Sequence, residues 1–193
     1  MPSLPKELPE RRSAGRRKSD DIHQRIVGKS ISPITYLATD YLNHFNEVIM
    51  LLDMILDMPE LVNELSAWQP KDYVKHFHES GLSDQELIIE AYQAASDEDR
   101  NILLAITNEM ERIIQDSISA AWKDGQALDE ISLSVLCTTT TEKLRERINL
   151  ASAVINSGAA SVAERHNIAL THTSINDTQA TVDILFDAFH KQV

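Results

Sequence analysis

The chain has 193 residues, of which 42% are apolar, 5% aromatic and 25% charged, and its formal net charge is −12. That length fits one domain of about 100–200 residues, large enough to bury a core without a disulfide or metal staple. Five Gly, six Pro and a single Cys leave little material for tight strand turns and none for an intrachain disulfide, so long helices are expected.

Charge is unevenly spread. Residues 1–30 hold eight basic against four acidic residues, so the remainder carries −16. So acidic a body repels phosphates, which confines any nucleic-acid contact to the basic stretch Arg11, Arg12, Arg16, Arg17 and Lys18. With Pro2, Pro5 and Pro9 and few large apolar groups, residues 1–18 are expected to be disordered. We read 1–30 as a flexible basic N-terminal arm. Residues 31–193 form a single helical domain, with N-terminal helices over 31–125 and long C-terminal helices over 126–193. Within the arm, Ser19-Asp-Asp opens a short helix anchored by Ile22, Ile26 and Val27 and ended by Gly28. MPSLPKELPERR lacks the apolar core of a signal peptide, and no stretch reaches about 18 uninterrupted apolar residues. A cytoplasmic protein with no membrane contact is expected.

Ser32 to Met58 shows the strongest periodicity. Ile34, Ala38, Tyr41, Phe45, Val48, Leu52 and Ile55 alternate at steps of four and three, and Leu37, His44, Leu51 and Met58 run beside them. At 3.6 residues per turn these rows merge into one wide apolar face. Ser32 is expected to cap this helix and Pro33 to occupy its first turn. The helix carries acids and no basic residue, which disfavours an anionic membrane as its partner.

Pro59 ends that helix. Two short ones are expected over 60–68 and 71–80, the second closed by Gly81 in a left-handed cap. Ser83-Asp-Gln-Glu86 reads as a capping box for the next helix. Ser96, followed by three acids, opens a long helix from Asp97 to Lys123, with Leu103, Ile106, Met110, Ile113 and Ser117 inward and Gly125 closing it. Residues 131–141 alternate locally like a strand, but the chain offers no pairing partner for one. One helix from Asp129 to Asn156 is therefore expected, with Leu144, Ile148, Ala151 and Ile155 inward; a strand pairing across a dimer is the minority reading. After Gly158 a last helical stretch carries Ile168, His172, Ile175, Gln179, Val182 and Phe186 at steps of four and three. Its polar seam positions are of the kind that fix register in helical assemblies. The fold class is all-α: a helical bundle of three to four long amphipathic helices plus short ones.

Chemistry-bearing patterns are few. Asp40 and Glu47 each lie within one turn of His44 on a helix, with the imidazole in the apolar row, which suits a metal or small cofactor. The same residues also suit a core-edge histidine satisfied by its neighbours. His76 and His78 project about 200° apart on a regular helix and cannot chelate one ion from it. Cys137, in an apolar stretch, reads as a buried small hydrophobe. No nucleophile elbow, phosphate-cradling glycine loop, dinucleotide fingerprint or Cys-x-x-Cys pair is present, so an enzyme is unsupported.

Three functional readings follow, in this order. The first is a non-enzymatic helical interaction or regulatory protein acting by protein–protein contact. It self-associates through the last-helix seam, and its arm helps to hold an unidentified protein partner. The second is a bundle binding a metal or small cofactor near His44. The third is nucleic-acid contact through the arm alone.

Overall fold

The computed structural model describes residues 21–165 and 178–190. Among them the chain is mostly helical with almost no strand, so the fold is all-α. The helices are α1 (residues 21–26), α2 (Asn43–Ile55), α3 (Val62–Ser66), α4 (Tyr73–Glu79), α5 (Gln85–Ala94), α6 (Asp97–Ala120), α7 (Glu130–Ser157), α8 (Ala159–Arg165) and α9 (Thr178–His190). α7 is the centre of the assembly: α6 packs along one flank, α2 along another, and α8 and α9 also lie against it. No described helix is long and apolar enough to cross a membrane.

The two long helices form for legible reasons. Ser96 caps α6 by accepting from the Asp99 amide at 3.0 Å, and three acids occupy its positive first turn. Leu103, Ile106, Met110 and Ser117 are buried as expected, with Ile114 beside them. Asp129 caps α7 by accepting from the Ser132 amide at 3.0 Å. Residues 131–141 are helical throughout. Within the Thr tract, Thr140 donates to the Leu136 carbonyl at 2.8 Å and shares a buried 2.6 Å bond with Ser117 of α6, whereas the buried Thr141 hydroxyl has no hydrogen-bond partner among the described residues. Cys137 is buried beside them, and burial pushes its thiol pKa up.

Three local expectations are corrected. First, the Ser32 helix begins only at Asn43. Residues 31–38 form a tight loop with a bridge between Ile31 and Ala38, and Tyr36 takes a left-handed φ of 63° that no helix admits. Ser32 accepts from the Ile34 and Thr35 amides within this loop, so it caps a turn. The loop is tied down from outside: Tyr73 accepts from the Ala38 amide at 2.8 Å, and Thr35 donates to the Ile155 carbonyl at the end of α7. Second, Ser83 forms no capping box; α5 starts at Gln85 without a side-chain cap, and Asp84 is turned to Lys29, 2.8 Å away. Third, α6 stops at Ala120. Trp122–Lys123 and Gln126–Ala127 pair as a two-stranded hairpin (β1 and β2) about Asp124 and Gly125, both at positive φ, as an Asp-Gly turn requires. The Trp122 indole donates to Ser66 at 3.0 Å, pinning α3 to the hairpin.

Residues 21–30, counted with the arm on charge, dock on α5. Ile22 and Ile26 are buried, Arg25 pairs with Glu90 at 2.7 Å and Gly28 takes a φ of 77°. Val27, expected as an anchor, is exposed.

Deeper in, Glu109 of α6 and Arg147 of α7 form a 2.6 Å ion pair with both side chains about 13–14% exposed. The guanidinium also lies 3.1 Å from the Phe186 ring centroid, so one charge pair joins α6, α7 and α9. Removing one partner strands the other charge in the interior, whereas replacing both with apolar groups does not. Glu109→Ala should cost about 3–5 kcal/mol in urea denaturation, and the Glu109→Met/Arg147→Met pair much less. Equal losses for the two variants would refute this account of the pair.

Candidate interaction surface

The three residues expected around a metal do not converge. His44 is buried on the inner side of α2, stacked on Trp68 with ring centroids 4.9 Å apart. Its ring donates to the Gln69 carbonyl, and its Nε2 has no hydrogen-bond partner. Asp40 lies before α2, beside Lys29 and Asp84, while Glu47 faces solvent toward α3. Among the described residues no three His, Cys, Asp or Glu side chains are grouped to hold a metal ion.

His44 instead belongs to an aromatic cluster. Its ring meets Phe45 and His76, His76 meets Tyr41 and Phe77, and Tyr41 meets Tyr73. Of ten Phe, Tyr and Trp residues in the chain, six sit in this cluster, which explains how so few aromatics suffice. Burial lowers the His44 pKa to about 4, and the charges of His76 and Lys71 push the same way. Burial also lowers His76.

With its inner side consumed by Phe45, Val48, Ile49, Leu52 and Ile55, α2 displays a different set of residues outward. Glu47, Met50 and Met54 follow one another at steps of three and four, and the stripe continues into the next turn with Asp57 and Met58. Met50 is 64% exposed, Met54 44% and Met58 39%, whereas Met110 in the core is 0% exposed. Beside this stripe runs a groove of about 230 Å³ between α2 and α3. Val48, Leu51, Ala67 and Trp68 form its apolar walls, and Glu47 and Glu64 provide its carboxylates. From Ser30 to Pro70 the chain holds six acids (Asp40, Glu47, Asp53, Asp57, Glu60 and Glu64) and no Lys or Arg. Arg145 of α7 reaches across to Asp53 at 3.0 Å, on an exposed edge where such a pair contributes little.

Met58, expected on the inner row, is exposed, and Met50 and Met54 belong to neither expected row. The spacing of four between these methionines, inside a segment free of basic residues, was the available signal. The other expected positions divide by location. Arg11, Arg12, Arg16, Arg17 and Lys18 lie outside the described residues, as do Ile168, His172 and Ile175. Gln179 is exposed and bonds Asp183 at 2.9 Å, Val182 is buried within the chain, and Phe186 packs beneath Arg147. Compared with protein-family models, curated proteins and solved structures, the chain matches none.

Native His44 binds its proton only near pH 4, whereas the unfolded chain binds it near 6.5. The stability this contributes is complete above pH 6.5 and is lost as pH falls toward 4. Between pH 7 and about pH 4 the wild-type protein should lose about 2–3 kcal/mol more than His44→Phe. Urea denaturation at the two pH values measures the difference, and identical losses would show that His44 is not buried neutral.

Proposed function

We propose that this protein acts by contact, taking a basic amphipathic helix of a partner protein on the acidic, methionine-lined face of α2 and α3. The observation that carries the reading is the stripe of exposed Met50, Met54 and Met58 set among carboxylates of which, among the described residues, only Asp53 has an ion-pair partner. Methionine is flexible and polarizable, so a row of it accommodates apolar side chains of varied shape. A helix laid in a groove presents anchors at steps of three and four, the spacing that this stripe offers in return. Lys or Arg stems can rest on Leu51 and Ala67 while their charges reach Glu47 and Glu64.

Charge also bears on which partner fits. Two copies of the chain meeting through this face would oppose carboxylates to carboxylates, which like-charge repulsion penalises. A basic partner gains from the same field, both in encounter rate and in register. In this reading the long amphipathic helices form the bundle expected from the sequence, and it is the scaffold that holds the face open.

A designed amphipathic peptide of Leu and Lys tests the reading. It should bind the full chain saturably and lose affinity as salt rises. Met50→Ser/Met54→Ser and Glu47→Lys/Glu64→Lys should each weaken binding at least about tenfold, a change of about 1.4 kcal/mol, with circular dichroism unchanged. Binding that is indifferent to both double variants would contradict the proposal.

A further inference from the structure

A second cavity, of about 290 Å³, lies between α4, α5 and α6. It is close to the lower bound of ligand pockets, about 300–1,000 Å³, so it suits a molecule of one ring system. Three of the chain's four tyrosines line it: Tyr41, Tyr73 and Tyr92. The Tyr73 and Tyr92 rings are stacked at 4.2 Å and 16°. Neither Tyr41 nor Tyr73 is free to swing away, because Tyr41 donates to the Lys71 carbonyl at 3.0 Å and Tyr73 accepts from the Ala38 amide at 2.8 Å. Leu103 and Leu104 complete an apolar wall. The cavity is therefore preformed and aromatic.

Its lining carries one cation and one anion, Arg100 and Asp72, and the Arg100 guanidinium stands over the Tyr92 ring, 5.7 Å from its centroid. Arg100 lies at the lining, but its guanidinium donates to the Tyr92 and Gln93 carbonyls at 3.1 Å each and pairs with Asp97. Asp72, also at the lining, spends one oxygen on the Lys75 amide at 2.8 Å to cap α4. Neither Asp72 nor the nearby Glu111 has an ion-pair partner among the described residues. Glu111 titrates above the usual carboxylate range, first through burial and then through the charge of Asp72. With Arg100 engaged by Asp97 and two backbone carbonyls, the aromatic lining and the one carboxylate without an ion-pair partner, Asp72, favour an organic cation.

We infer that the Tyr41–Tyr73–Tyr92 cavity binds a small arylalkyl ammonium compound, its ring against the tyrosines and its ammonium at Asp72. The tyrosine faces supply cation–π attraction, and Asp72 supplies a charge-assisted hydrogen bond. This site shares no lining residue with the methionine face, and the two stand or fall separately.

Calorimetric titration of the full chain at neutral pH tests the inference with three probes of one shape: phenethylamine, phenylethanol and phenylpropionate. The amine should bind one per chain, at least about tenfold more tightly than the alcohol, and the carboxylate should not bind. Asp72→Asn keeps the α4 cap, since Asn serves as well as Asp there, and removes only the charge. It should weaken the amine at least tenfold and leave the alcohol unchanged. Tyr92→Leu should weaken both. The inference is overturned if millimolar amine shows no saturable binding, if the carboxylate binds in its place, or if Asp72→Asn binds the amine as the wild type does.

Discussion

α2 is seated from one side, and what the protein displays follows from that. Phe45, Val48, Ile49, Leu52 and Ile55 turn inward, where each fully buried apolar side chain contributes about 1.5–3 kcal/mol, and the helix lies along α7. His44 is drawn in with them and stacks on Trp68. A helix held this firmly by one flank cannot rotate to hide its other flank. Met50 and Met54 are therefore presented to solvent as a consequence of the same packing that builds the core.

The supports of that seat are spread through the chain. The loop of residues 31–38 is fastened by Tyr73 and by the end of α7, which fixes where α2 begins. The hairpin after α6 fastens α3 through Trp122 and Ser66, which fixes the far wall of the groove. At the same end of α7 as the loop, Asp99 accepts from the Ala159 amide at 2.8 Å and from the Ser96 hydroxyl, so one carboxylate serves the starts of both α6 and α8. Both candidate sites set apolar or aromatic walls beside carboxylates, Glu47 and Glu64 in one and Asp72 in the other, that form no ion pair among the described residues. The basic residues at 25 and 29 are spent on Glu90 and Asp84 of α5 or its approach, away from either site.

How much of this the sequence disclosed depends on which signal was local. The helical periods of α2, α6 and α7 were legible because burial repeats with the helix itself: Leu103, Ile106, Met110, Leu144, Ala151 and Ile155 are all buried. The helix starts at Ser96 and Asp129 were legible because a capping side chain and the amide it serves are three residues apart. The apolar period failed where a tertiary contact overrode it. Leu37, Ala38 and Tyr41 are buried as the helical row required, yet a left-handed Tyr36 and a tethered Thr35 deliver them from a loop and a 3-10 turn. The Asp124-Gly125 turn was locally readable and was absorbed into an overlong helix. The tyrosine cavity was invisible, because Tyr41, Tyr73 and Tyr92 are brought together by packing across three separate segments.

In the proposed function, the outward methionines of α2 and its following turn form a contact surface for a basic helix. Methionine methyl NMR tests it most directly, since Met110 in the core supplies a control inside the same molecule. On titration with a Lys/Leu amphipathic peptide, the account predicts that the Met50, Met54 and Met58 methyl signals shift together while Met110 stays in place. A peptide that binds without moving those three signals, or that moves Met110 equally, would contradict it.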